Sequence, residues 1–171
     1  SKDSYVKSIG VSASLLGGFA GTFAFLDISG DANAVVGDNV SLIRHASLNE
    51  GNPNVTVTAE RDFDASVTSI GAASSGYGAI GISVANLSSE GDINAGFGAT
   101  NTLGQNNAKL GIVTLSAKNN SDWSVRAEAG AGAAGLAAVG ADARVSDAGN
   151  TWATLGNNTH LFASGAITME A

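Results

Sequence analysis

Self-comparison constrains this chain more than any single motif does. A shift of 61 residues superposes residues 5–37 on 66–98 without a gap, carrying Val6, Ser8, Ile9 and Gly10 onto Val67, Ser69, Ile70 and Gly71. Further along, Gly17, Ala24, Asp31, Asn33 and Gly37 fall on Gly78, Ala85, Asp92, Asn94 and Gly98. A shift of 58 then carries Val67 to Val125, Ala85 to Ala143, Gly91 to Gly149, Gly98 to Gly156 and Leu103 to Leu161. The unit ends agree too: Val55-Thr56-Val57-Thr58-Ala59, Val113-Thr114-Leu115-Ser116-Ala117 and Ile167-Thr168-Met169-Glu170-Ala171. Residues 1–171 therefore read as a single segment of three tandem units, 1–59, 60–117 and 118–171. Shared glycines and apolar positions with varying polar ones mark a common backbone, the signature of a repeat architecture.

The period inside each unit is that of strands. The unit-end motif alternates apolar and polar, and Ile80, Ile82 and Val84 alternate with Gly81, Ser83 and Ala85. Clusters such as Ser29-Gly30-Asp31, Gly37-Asp38-Asn39, Asn49-Glu50-Gly51-Asn52-Pro53-Asn54 and Gly156-Asn157-Asn158 supply turn residues between the runs. Two stretches compete for helix, the apolar residues 15–26 and the Ala-rich residues 127–143. The second contains Gly130, Gly132, Gly135 and Gly140, each costing about 1 kcal/mol in a helix interior. It also aligns with the alternating residues 69–85, so both read as strand and loop.

Composition narrows the class. The 171 residues include 30 Ala and 23 Gly but only 13% charged and 6% aromatic residues. Collagen would need glycine at every third position and more than the one proline, Pro53. Without cysteine there is no disulfide framework, thiolate metal site or thiol nucleophile. A net charge of −7 argues against a nucleic-acid partner. No apolar run is long enough for a membrane-spanning helix, and residues 1–15 lack the h-region of a signal peptide. A first residue of Ser1 and the absence of obvious end caps suggest a fragment of a longer chain. Stacked units with a narrow interior of Ala, Gly, Val, Ile and Leu fit a parallel β-helix, with about three coils of roughly 20 residues in each unit and about eight coils in all. Low charge and acidity suggest a soluble surface with few apolar groups.

Residues 71–86, an Ala/Gly run leading into an alternating strand, together with residues 31–42 and the closing Val55-Thr56-Val57-Thr58-Ala59, resemble the passenger repeats of large bacterial surface adhesins. The likeness is to the leukotoxin-type filamentous, filamentous haemagglutinin-like family, and it covers nearly the whole chain. It implies a right-handed parallel β-helix (β-solenoid), export by a type V (autotransporter-related) system, and a place on the bacterial cell surface in an extracellular fibre. The expected partners are neighbouring coils of the same longer chain or copies stacked end to end, with a host-surface protein or glycan as a further ligand. Asp142, Arg144 and Trp152 depart from the pattern, which fills their places with small or aliphatic residues.

Candidate chemistry is sparse. His45 and His160 occupy different repeat positions and have no ligand spacing. Glu60-Arg61-Asp62-Phe63-Asp64 spaces carboxylates two apart but lacks the glycine and distal Glu of a calcium loop. Asp31, Asp92 and Asn150 share one position, as turn-forming Asx residues would. Charged residues are scattered, so no catalytic residue, metal site or cofactor is assigned, and the ligand-binding residues stay unassigned. The Thr-x-Thr steps at Thr56/Thr58 and Thr114/Ser116 resemble the ladders of ice-binding solenoids, yet with three coils to a unit they would stand three coils apart. Five Asn-x-Ser/Thr sequons, at Asn39, Asn54, Asn86, Asn119 and Asn157, fit a turn role. Phe19, Phe23, Phe25, Phe63, Tyr77, Phe97, Trp123, Trp152 and Phe162 read as core or corner packing. The expected function is a structural and adhesive stalk without enzymatic activity. A carbohydrate-binding or carbohydrate-active domain and an ice- or surface-binding solenoid are the alternatives.

Overall fold

The computed structural model describes residues 2–43 and 51–171. Among these residues there is no helix, and the Gly-interrupted Ala run is strand as expected. The first repeat unit contributes β1 (Lys2–Ser14), β2 (Gly18–Ser29), β3 (Ala32–Val36) and β4 (Ser41–Leu42). β5 (Val55–Ser75) carries the closing motif of the first unit straight on into the second, which then contributes β6 (Gly78–Glu90), β7 (Ile93–Phe97) and β8 (Thr102–Leu103). β9 (Val113–Ala133) likewise runs from the second unit into the third, which contributes β10 (Leu136–Asp147), β11 (Thr151–Leu155) and β12 (His160–Leu161) and closes on β13 (Ile167–Glu170), the unit-end motif again. Four sheets result, ordered β1-β5-β9-β13, β10-β6-β2, β11-β7-β3 and β12-β8-β4.

The sequence repeat is the strand register. β1 pairs with β5 in parallel, Val6 on Val67 and Gly10 on Gly71, 61 residues apart. β2 and β3 keep the same offset, Ala24 on Ala85 and Asn33 on Asn94. β10, β11 and β12 pair at 58, Ala143 on Ala85, Ala153 on Ala95 and Leu161 on Leu103. Each of the second, third and fourth sheets thus takes one strand from each unit. This corrects the expectation of about three coils per unit and about eight in all, because partners in such coils would lie roughly 20 residues apart. The reason is strand length. At about 3.3 Å per residue, strands of 12 to 21 residues use up most of a 58-residue unit in a single passage.

Contacts divide the chain into two compact bodies, each drawn from all three units. The first comprises residues 1–29, 63–90 and 121–148. Its inward positions are small: Ala20, Ala73 and Ala79 form one cluster, and Ala24, Ala65 and Ala85 join Phe63, Val67 and Leu87 in another. A Cβ on Gly71 would run into the carbonyl oxygen of Ile82, and one on Gly10 would sit 2.6 Å from Thr22 Cγ2. Glycine is therefore what lets β1 and β5 approach β2 and β6. Buried hydroxyls line the same seam: Ser69 Oγ donates to Thr22 Oγ1 (2.8 Å) and Ser83 Oγ to the Ser69 carbonyl (2.7 Å). These bonds offset the cost of burying polar groups.

The second body comprises residues 30–62, 91–120 and 149–171. Its core is more aliphatic, with Val57, Ile93, Phe97, Leu103, Leu110, Val113 and Leu115 packed around Ala59, Ala95 and Ala117. Alternation in β7 and in the unit-end motif points these side chains to one face.

Candidate functional site

Corners of the second body explain the recurring Gly and Asx residues. Gly30, Gly91 and Gly149 stack at the repeat spacing, and a Cβ on Gly91 or Gly149 would overlap the carbonyl oxygen of the glycine beneath it. The next residue locks the layers together. Asp31 Oδ1 accepts from the Asp92 N–H (2.8 Å), and Asp92 Oδ1 accepts from the Asn150 N–H (3.1 Å). Asp31, Asp92 and Asn150 are thus a structural ladder, as their Asx character suggested. Arg61 reinforces the corner, donating to the Gly91 carbonyl (3.2 Å) and to Asn119 Oδ1 (3.3 Å). A second corner holds Asn39, Thr100 and Asn158 in left-handed backbone, φ 58°, 60° and 59°. Fully buried Asn101 fixes it, donating to the Gly98 carbonyl (2.9 Å) and accepting from the Val40 N–H (2.6 Å).

A groove of about 400 Å³ lies in the first body, lined by Tyr5, Asp64, Ser66, Asp122, Trp123 and Ser124 with Ser4 and Ala65. Tyr5 registers on Ser66, and alternation turns Tyr5, Asp64, Asp122 and Ser124 to the exposed face. Trp123 points the other way and stacks on Phe63, with centroids 6.2 Å apart. Its Nε1 is buried without an acceptor. The groove offers carboxylate and hydroxyl acceptors beside an aromatic plane, which is the chemistry that binds hydroxyl-rich ligands. Scanning for local motifs missed it, because its parts lie on three strands; the repeat alignment of Asp64 with Asp122 was the one available signal.

The remaining sequence candidates scatter. His160 is exposed on β12, and His45 lies outside the described residues. Glu60 accepts from Asn120 Nδ2 (2.7 Å) and Arg61 is engaged at the corner, while Asp64 belongs to the groove. Among the described residues no three His, Asp or Glu side chains cluster as a metal ion would require. Thr114 pairs directly with Thr168, and Ser116 with Glu170. The Thr-x-Thr steps therefore stand on neighbouring strands, correcting the expected separation. Sequon residue Asn54 has a turn task, accepting from the Ile112 N–H (2.7 Å). Asp142 and Arg144 register on Val84 and Asn86 on the outer face of their sheet, where they pair at 2.8 Å, and Trp152 registers on Asn94. None of the three departures intrudes on the interior.

Aromatic placement divides. Phe63 and Phe97 are core, whereas Phe19, Phe23, Phe25 and Tyr77 are exposed. This corrects the assignment of Phe19, Phe23, Phe25, Tyr77 and the exposed Trp152 to packing, and with it the expectation of few apolar surface groups. In β2 the small residues Ala20, Thr22 and Ala24 face inward, because the glycine-lined seam leaves no room for rings.

The third-unit strand β10 has its own anomaly. Val145 is 46% exposed although its register partner Leu87 is 0% exposed. Val139, Ala141 and Ala143 are likewise exposed on partners that are buried. These inward-facing residues lie without cover on β10, an end strand of its parallel sheet. Comparison with known proteins found no matching family model, no matching curated protein and no matching solved structure.

Proposed function

We propose that this chain is a structural segment of an extracellular bacterial fibre, a right-handed parallel β-helix serving as the rigid, non-enzymatic stalk of a secreted or surface-anchored, filamentous haemagglutinin-like adhesin. One observation carries the reading. The three units pair strand on strand at the repeat spacing, and inward residues of β10 lie open where a further layer would cover them. Such a stack gains stability from each neighbour and has no intrinsic length limit. Its partners are then further coils of a longer chain or stacked copies of itself. The test is to insert another copy of residues 60–117 after Ala117 and compare unfolding. A one-dimensional stack gains a fixed increment in stability with the added unit. Unchanged stability, or two separate transitions, overturns the stack. Labelling unpermeabilised source cells with an antibody to the chain tests surface placement; signal only after permeabilisation overturns it.

The groove favours a second reading, a carbohydrate-binding role, because Tyr5 provides a stacking plane beside Asp64 and Asp122. A glycan array with the wild type and Tyr5→Ala decides it. Binding that is lost in Tyr5→Ala supports the role, and an array without binding removes it.

A further inference from the structure

In the first body the two sheets close on one another strand by strand. β5 closes over β2: Ser69 Oγ donates to Thr22 Oγ1, and a Cβ on Gly18 would stand 2.7 Å from the Ser74 carbonyl oxygen. β9 closes over β6, where a Cβ on Gly81 would overlap the Gly130 carbonyl oxygen. Among the described residues no strand closes over β10 in this way, and its inward residues Val139 and Val145 are 61% and 46% exposed. The other end of the series is open too. Val6, Ser8 and Ser12 of β1 are half-buried, although their register partners Val67, Ser69 and Ala73 are buried.

We propose that the strand closing over β10 is β1 of a second copy of the chain, so that copies join head to tail. The proposal rests on the reading of the units as a stack, and it names the partner and the register. β1 of the copy lies along residues 121–133 of β9, with Val6 beside Val125 and Ser8 beside Ala127. β13 leaves room for it, since it pairs with β9 at Val113–Ser116.

The two open faces select a copy over another partner. One contact covers both of them, and it is the contact the chain already makes twice, β5 on β2 and β9 on β6. Side-chain size is consistent with it. Ala20, Ala73 and Ala79 meet in one cluster. Their counterparts at the new contact are Val139 with Ser12 and Gly18 of the copy, so the larger side chain meets a position without a Cβ. The second body sets a matching requirement of its own. Layers above Gly30 and Gly37 must carry glycine, as Gly91 and Gly149 do in one column and Gly98 and Gly156 in the other. Gly30 and Gly37 of a copy meet that requirement above Gly149 and Gly156. Charge permits the contact. The three units carry −2, −3 and −2, which make up the net −7. Copies therefore set −2 against −2, where units within the chain already pair at −2 against −3. The two surfaces in contact differ, so the association does not close on itself as a two-fold dimer would and builds filaments.

Cysteine pairing tests the register, because the chain has no cysteine of its own. Ser8 registers on Ser69, and Ala141 registers through Ser83 on Thr22, and the Ser69 and Thr22 hydroxyls lie 2.8 Å apart. Oxidising a mixture of Ser8→Cys and Ala141→Cys should give the mixed disulfide about tenfold or more faster than either variant alone pairs with itself. Ser8→Cys with Val145→Cys should show no such gain, since four residues displace the thiol about 13 Å along the strand, beyond the reach of a disulfide. Sedimentation velocity across the micromolar range should show a wild type that grows with concentration. Val145→Lys should weaken association about tenfold or more, because the contact would bury its charge. Val11→Lys, on the exposed face of β1, should leave association unchanged. Far-UV circular dichroism checks that each variant folds, and Val139→Lys takes the place of a Val145→Lys that does not. A mixed disulfide no faster than the self-pairings, or equally fast in the displaced register, overturns the proposal. A wild type that stays monomeric overturns it as well. If an inserted copy of residues 60–117 still stabilises that monomer, the stack stands without copies as its partner.

Discussion

Thr100 occupies a backbone conformation that its own side chain opposes, and replacing it should stabilise the protein. Its φ of 60° matches those of Asn39 and Asn158 at the equivalent corners. A residue with a Cβ in left-handed backbone loses about 1–2 kcal/mol, and a β-branched one fares worst. Asn tolerates the region because its short polar side chain can hydrogen-bond locally. Threonine persists here because the corner is held from outside it. Its N–H donates to the Asn157 carbonyl (2.8 Å), and the Thr159 hydroxyl donates to the Gly98 carbonyl (3.1 Å). Its side chain is exposed, so substitution sacrifices no core packing. Thr100→Asn should therefore gain about 1 kcal/mol, a rise of roughly 2–4 °C in melting midpoint for a chain of this length. Asn39→Thr and Asn158→Thr should each lose a similar amount. Differential scanning calorimetry reads all three. If Thr100→Asn melts at or below the wild-type midpoint, or the two reverse substitutions have no effect, backbone strain is not what distinguishes these positions.

Other substitutions separate glycines that the fold requires from those it merely contains. Gly91→Ala combines φ +135° with overlap onto the Gly30 carbonyl and should cost about 2–4 kcal/mol in urea denaturation, while Gly37→Ala, with open space at its Cβ, should stay within about 0.5 kcal/mol. Phe97→Ala empties a fully buried site in the second body and should cost about 3–5 kcal/mol by the same measurement. Asp31→Ala removes the acceptor for the Asp92 N–H and should cost about 1 kcal/mol, with faster amide exchange at Asp92 than at Ile93, whose N–H bonds to Asn150.

Register and corners were legible in the sequence because both are set by steric exclusions that few residues satisfy. Gly10 and Gly71 must be glycine where sheets approach, and Gly91 must be glycine above Gly30, so a self-comparison that aligns them also aligns the strands. The size of each circuit was less legible. β5 runs from Val55 to Ser75 through Glu60, Arg61 and Asp62, whose charge suggests a break. The alternation continues across it, with Phe63, Ala65 and Val67 inward and Asp64 outward, and only period-two counting would have joined the halves. Which face of β2 is inner could not be read from hydropathy. Its larger apolar residues lie outside, and the decision is made by Thr22 facing Gly10 and Ser69 across the seam. The groove at Tyr5 escaped for another reason: its residues are adjacent only across strands.

The connections of the fold differ in how much length they permit. Four residues separate β3 from β4, β7 from β8 and β11 from β12, and no connection between the first and second or second and third strands of a unit exceeds three. The connection from the short fourth strand of a unit to the strand of its closing motif varies freely by contrast: twelve residues between Leu42 and Val55, nine between Leu103 and Val113, five between Leu161 and Ile167. All the irregularity that turns an offset of 61 into 58 is gathered in that one passage. The protein therefore carries an expansion joint. Segments can be gained, lost or exchanged there with every other pairing unchanged, so new surface chemistry can be tried on each unit without renegotiating the framework beneath it.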